Sequence, residues 1–170
     1  MKVAIVIALV AALATPAAAF ELDGLVSPEP AGWEAQPASG MRVAHFVLKG
    51  GKDDLHRTEL IVFHFGKGGG GGVADNVARW KGMFEKPEVT TSEETIAGAR
   101  ATIVELHGTY LYKARPMDPG PGERRPGQKM IGVVFETPGG PYFMRLVGPD
   151  TTVDRHRSDF LTWLRAFKKK

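Results

Sequence analysis

Apolar runs broken by polar and glycine-rich turns divide the chain into seven elements. Residues 41–48 (MRVAHFVL) and 58–65 (TELIVFHF) are rich in β-branched and aromatic side chains. The stretch between them carries Gly50, Gly51, Asp53 and Asp54, so the pair predicts a hairpin with a long loop. After the glycine run at 66–72 the period changes. Val73, Val77, Trp80 and Phe84 recur at steps of four, three and four, which predicts a helix over 73–84 with one apolar stripe. Asn76 and Met83 flank that stripe, and Gly82 and Pro87 mark its end. Residues 88–94 predict a short edge strand or a loop. Residues 100–112 (RATIVELHGTYLY) predict a long strand entered through a turn at Ile96, Ala97 and Gly98. Residues 129–136 (KMIGVVFE) and 142–147 (YFMRLV) predict a second hairpin around Pro138-Gly139-Gly140. A helix over 153–167 closes the chain, with Val153, His156, Phe160, Trp163, Leu164 and Phe167 on its buried stripe. Thr151 and Asp154 stand at capping-box spacing ahead of it.

The order strand-strand-helix-strand-strand-strand-helix is that of an α+β domain. Sequential hairpins imply an antiparallel β-sheet, and two amphipathic helices must bury their stripes against it. Phe63 and Phe65 alternate with Val62 and His64, so that strand is apolar on both sides. A sheet covered on each face explains this and predicts a three-layer α-β-α sandwich. Residues 20–40, with Pro28, Pro30 and Pro37, predict an extended lead-in that tucks Trp33 into the core of a single domain over 41–167. Residues 113–127 carry Pro116, Pro119, Pro121 and Pro126 and predict a long loop, a candidate for function.

The first 19 residues add a compartment. Lys2, an apolar run over 3–14, the Thr15-Pro16 break and Ala17-Ala18-Ala19 are the parts of a cleavable export signal, with the cut expected before Phe20. The apolar run is shorter than the roughly 20 residues of a spanning helix. A soluble periplasmic or extracellular protein is expected, with no transmembrane segment in the mature chain. The chain contains no cysteine. That excludes a lipobox anchor, disulfides, thiolate metal sites and cysteine nucleophiles. The net charge of +3 is weak. Lys168, Lys169 and Lys170 predict a basic, solvated tail that complements the helix dipole. No basic stripe interleaves with aromatics, so nucleic acid is not an expected partner.

Three groups of residues could carry chemistry. Gly66, Gly68 and Gly71 match G-x-G-x-x-G between a strand and a helix, with Lys67 adding charge; an anion could sit on Lys67, Gly68 and Gly71, although a run of glycines satisfies almost any glycine pattern and a flexible connection is the plainer expectation. His45, His64 and His107 all fall on strands and would suit zinc or copper if they converged, but no H-x-x-x-H or H-E-x-x-H spacing is present. Asn76, Arg79, Glu105, His107 and Arg145 are polar intrusions into core-like elements and form a candidate ligand set; Glu105 is the expected partner of Arg145. No serine lies in a G-x-S-x-G turn, and the carboxylate pairs at 53–54 and 93–94 lie in polar turns.

The pattern also resembles the Mog/PsbP-like superfamily, including its bacterial DcrB-like members. The resemblance rests on Pro30-Ala31-Gly32-Trp33 ahead of the first strand, the hairpin over 41–65, the helix with Asn76 and Arg79-Trp80, the late strand over 142–147 and the closing helix with Trp163. It implies a non-catalytic accessory or binding protein with no cofactor, acting on a protein or small-molecule partner in the cell envelope. The glycine run and the proline-rich loop have no counterpart in that pattern. A metal protein built on the strand histidines and an interaction module acting through residues 113–127 are the alternatives.

Overall fold

The computed structural model describes residues 19–115 and 117–170. All of the expected export signal except Ala19 lies outside the described residues, as does Pro116. In chain order the elements are β1 (Ala19–Leu22), β2 (Leu25–Pro28), β3 (Glu34–Ala35), β4 (Arg42–Leu48), β5 (Thr58–His64), α1 (Val73–Lys81), β6 (Phe84–Ile96), β7 (Ala99–Tyr112), β8 (Glu123–Thr137), β9 (Gly140–Pro149), α2 (Asp150–Arg165) and β10 (Lys168–Lys169). The protein is α+β. Seven strands form one antiparallel sheet in the order β3-β4-β5-β9-β8-β7-β6, and β1, β2 and β10 form a second, small one.

Side chains alternate across the strands, and two apolar clusters result. On one side Phe46, Leu60, Met144, Val133 and Ile103 pack with Val153, Phe160 and Leu164 of α2. On the other, Val104, Leu106, Met130, Val134 and Phe143 pack with Trp80 of α1 and with Phe84. α1 is short and contacts β6, β7 and β8. Toward β4 its side of the sheet carries Val43 and Phe65, both exposed.

Several expectations are corrected. The helix expected over 73–84 stops at Lys81, and Phe84 opens β6 instead. The short strand or loop at 88–94 belongs to that 13-residue edge strand, in which Glu94 pairs with Arg165 of α2. The loop expected over 113–127 ends at Gly122. Glu123 begins β8, and Pro126 is accommodated where the β7–β8 register shifts between Gly108 and Tyr110. α2 starts at Asp150 without a capping box: Asp150 accepts the Thr151 amide, and Asp154 binds Lys129. The lead-in is partly regular, since β1 and β2 form a hairpin. Its Trp33 does reach the core, packing edge-on against Phe46 and Trp163. The closing lysines are exposed, yet their backbone is not free: β10 pairs with β2, and the Lys170 amide donates to the Gly24 carbonyl at 2.9 Å.

Candidate functional site

The candidate residues fall on two sides of the large sheet. Glu105 and His107 lie on the α2 side, in a cleft of about 560 Å³ between β6–β7–β8 and the start of α2. Glu105 takes both guanidinium arms of Arg157, at 2.7 Å for the closer contact, and has Lys129 at 3.5 Å. Lys129 reaches on to Asp154, and His107 lies 3.1 Å from Asp150. Glu105, His107, Lys129, Asp150 and Asp154 are thus engaged with one another or with Arg157, while Glu88 and Thr90 line the same cleft from the edge strand. Hydrogen bonding to Arg157 holds the Glu105 carboxyl below its ordinary value, against the opposing effect of burial.

That depression has a sign. A carboxyl lowered in the folded state stabilises the protein above its unfolded pKa, and the contribution is lost as pH falls through the folded value. Glu105→Gln is expected to cost about 1 kcal/mol at neutral pH, Arg157 being half-exposed. The difference from the parent should shrink below about pH 4.5, the ordinary range of the carboxyl. Thermal unfolding of both proteins between about pH 3 and 7 measures it.

The three strand histidines are not brought together. His45 lies on the α1 side, 3.2 Å from Glu59. His64 lies on the α2 side, stacked on Tyr142, with Nδ1 3.3 Å from the Pro141 carbonyl. His107 is on the α2 side too, but at the far end of the sheet. His64 pairs with Tyr142 of β9, whereas His107 lines up through Lys129 with Gly148. Those six residues of strand span about 20 Å. Among the described residues no group of three or more histidine and acidic side chains could hold a metal ion.

The glycine run is a defined coil. Gly66, Gly68, Gly70 and Gly71 all have positive φ. At the start of α1 the Asp75 carboxylate accepts from the N–H of the N-cap Gly72 at 3.1 Å, beside Gly71. Of Lys67, Gly68 and Gly71, it is Gly71 that borders this carboxylate, and the other two lie earlier in the same coil.

Asn76, Arg79 and Arg145 lie on the α1 side. Asn76 is buried and its amide is fully used: Nδ2 donates to the carbonyls of Gly70 and Gly72, each at 2.9 Å, and Oδ1 accepts from Arg79 at 2.7 Å. Asn76 thus clamps the glycine coil to α1 and orients Arg79. The pairing expected between Arg145 and Glu105 is not made. Glu105 is in register with Ile131 and Leu146, and Arg145 with Gly132 and Ile61, so the two point to opposite faces. Arg145 lies instead with its guanidinium carbon 5.0 Å from the centre of the Phe63 ring and donates to the Met83 sulfur at 3.3 Å. Arg42 approaches the same ring at 5.7 Å. Burial pushes the Arg145 guanidinium below its usual range, and the charges of Arg42 and Arg79 push the same way, against the Tyr110 phenol. Among the described residues no carboxylate lies within 4 Å of Arg145, Arg42 or Arg79.

Sequence reasoning missed Arg42, Tyr110 and Arg125 as members of this face. Arg125 stacks 3.5 Å above the Tyr112 ring, donates to Glu123, and has a buried Nε without a partner among the described residues. Tyr110 shares the face of Val104 and Leu106 by simple alternation, and the register shift on β8 opposite Thr109 brings Arg125 beside it. The signal available was the arginine-tyrosine content of 110–125, which the prolines masked.

No protein-family model matches the sequence, and no curated sequence does. Solved structures do resemble the fold. A Pseudomonas aeruginosa protein of unknown function, PA94, is 13% identical, with a TM-score of 0.53 over 90% of this chain and 96% of that one. The PsbP protein (CyanoP) of the cyanobacterium Synechocystis sp. PCC 6803 is 12% identical, with a TM-score of 0.55 over 96% of this chain and 98% of that one. At these identities the likeness is one of fold, and the fold is PsbP-like. Among the described residues no helix is long and apolar enough to cross a membrane.

Proposed function

We propose that this chain is an exported, non-catalytic binding or accessory protein, acting in the periplasm or outside the cell after loss of residues 1–19, and that its binding surface is the α1 side of the sheet. The observation that carries this reading is the contrast between the two faces. On the α2 side Glu105, His107, Lys129, Asp150 and Asp154 are engaged in ion pairs. On the α1 side Arg145 is partly buried, with a thioether as its hydrogen-bond partner. A general acid or base needs a titratable group in reach of a reacting atom, whereas an arginine stays charged and serves recognition. In this reading the domain is a three-layer α-β-α sandwich of the Mog/PsbP kind, close to its DcrB-like members. The clusters on either side of the sheet, each with its own helix, support it.

Cell fractionation followed by N-terminal sequencing tests the compartment. Protein starting at Phe20 in the envelope or medium is the expected result. Protein recovered from the cytosol with Met1 intact would defeat the exported part of the proposal.

A further inference from the structure

We infer that the arginine-lined half of the α1 face binds an organic anion, its carboxylate held by Arg145 with Arg42 and Arg79 at hand and its apolar body lying over Phe63 and Phe65. The inference rests on the binding-protein reading above and names the ligand class for the same surface.

A partly buried guanidinium has up to five N–H donors and ordinarily faces a carboxylate. Among the described residues Arg145 has only the sulfur of Met83, a weak acceptor, and the face of Phe63. Arg42 shares that ring, and Arg79 is anchored on Asn76, so like charges gather where opposite ones are usual. Glu59, the acid on this side of β5, is engaged by His45. An arrangement that repels itself without a ligand is relieved by an anion, and the planar guanidinium fork matches a carboxylate through two parallel hydrogen bonds.

The surroundings decide the rest of the ligand. Phe63 and Phe65 stack at 6.3 Å, and Phe65 is 40% exposed, with Val43 exposed along the neighbouring strand. α1 does not extend this far, since it packs on β6, β7 and β8. A bare inorganic anion would satisfy the arginines and leave these side chains in water. A carboxylate attached to hydrocarbon covers both.

Isothermal titration calorimetry of the purified protein with decanoate below its micelle concentration, and separately with inorganic phosphate, tests the inference. Saturable binding of decanoate, about tenfold or more tighter than phosphate, is expected. Arg145→Met keeps most of the volume and removes the charge. It should weaken decanoate about tenfold or more while leaving the melting temperature equal or higher, because an uncompensated charge has gone. No saturable decanoate binding, equal binding of phosphate, or unchanged affinity in Arg145→Met would each overturn the inference. If Arg145→Met does not fold, Arg42→Gln decides: several-fold weaker binding supports the site, and unchanged affinity overturns it. NMR of the recovered probe separates the two proposals. Decanoate bound and returned intact upholds both, decanoate chemically altered defeats the non-catalytic reading and leaves the site, and decanoate neither bound nor altered defeats the site alone.

Discussion

Trp80→Ala is expected to lower stability by about 3–5 kcal/mol. Trp80 is 2% exposed and is the main aromatic anchor that α1 places on the sheet. α1 is nine residues long, too short to persist in water without such packing. The ring lies directly on Gly132 of β8: a methyl group built there would come within 2.5 Å of its Cζ3 atom. Gly132→Ala alone is therefore an overpacking change and should cost about 1–3 kcal/mol. In the Trp80→Ala background the methyl group occupies vacated space, and the same change should cost nothing or restore some stability. The two effects should thus miss additivity by about 1–3 kcal/mol. Urea unfolding of the four proteins measures this, and simple additivity would show that the ring does not rest on that strand.

The second large effect concerns the glycine coil. Gly70 has φ +82, and a methyl group there would meet Phe143 at 2.4 Å and Phe65 at 2.9 Å. Gly68 has φ +78 with nothing within 4 Å. A left-handed backbone costs a non-glycine residue about 1–2 kcal/mol, and both positions incur that. Gly70→Ala adds a steric conflict with two aromatic rings, for an expected total of about 2–5 kcal/mol. Gly68→Ala should stop at about 1–2 kcal/mol. Equal costs in thermal or urea unfolding would show that Gly70 does not press on Phe143. Gly70→Ala should also disturb Asn76, whose Nδ2 binds the Gly70 carbonyl, and through it the position of Arg79.

The fold was legible where hydrophobic period had no competitor. The strands around residues 42–48, 58–64 and 140–149 and the closing helix follow from it within a few residues. β6 was not, because its EKPEVTTSEET stretch is charged and carries Pro87, whereas its pairing partner β7 is what makes it a strand. The extension of β8 back to Glu123 was hidden by Pro126, which a single strand pattern cannot place but a register shift opposite Thr109 can. The site was half legible. Arg145 and Arg79 stood out as charges within apolar elements. Which face Arg145 would take, and that Glu105 would be on the other, depends on the register of three strands. Arg42 and Arg125 reach the face through irregularities in pairing, between Arg42 and Ala44 and on β8 opposite Thr109, and no local pattern announces those.

β10 completes a sheet whose other two strands are β1 and β2, so residues 19–28 and 168–169 are neighbours in space. A chain that emerges from the ribosome N-terminus first leaves Val26 without its Lys168 partner until almost every other residue is out. The β1–β2 hairpin needs only its own residues, but the third strand of that small sheet is added last, when the C-terminal lysines are out. The same adjacency means that, in a protein starting at residue 19, a short linker from Lys170 to Ala19 and an opening elsewhere in the chain should preserve the fold.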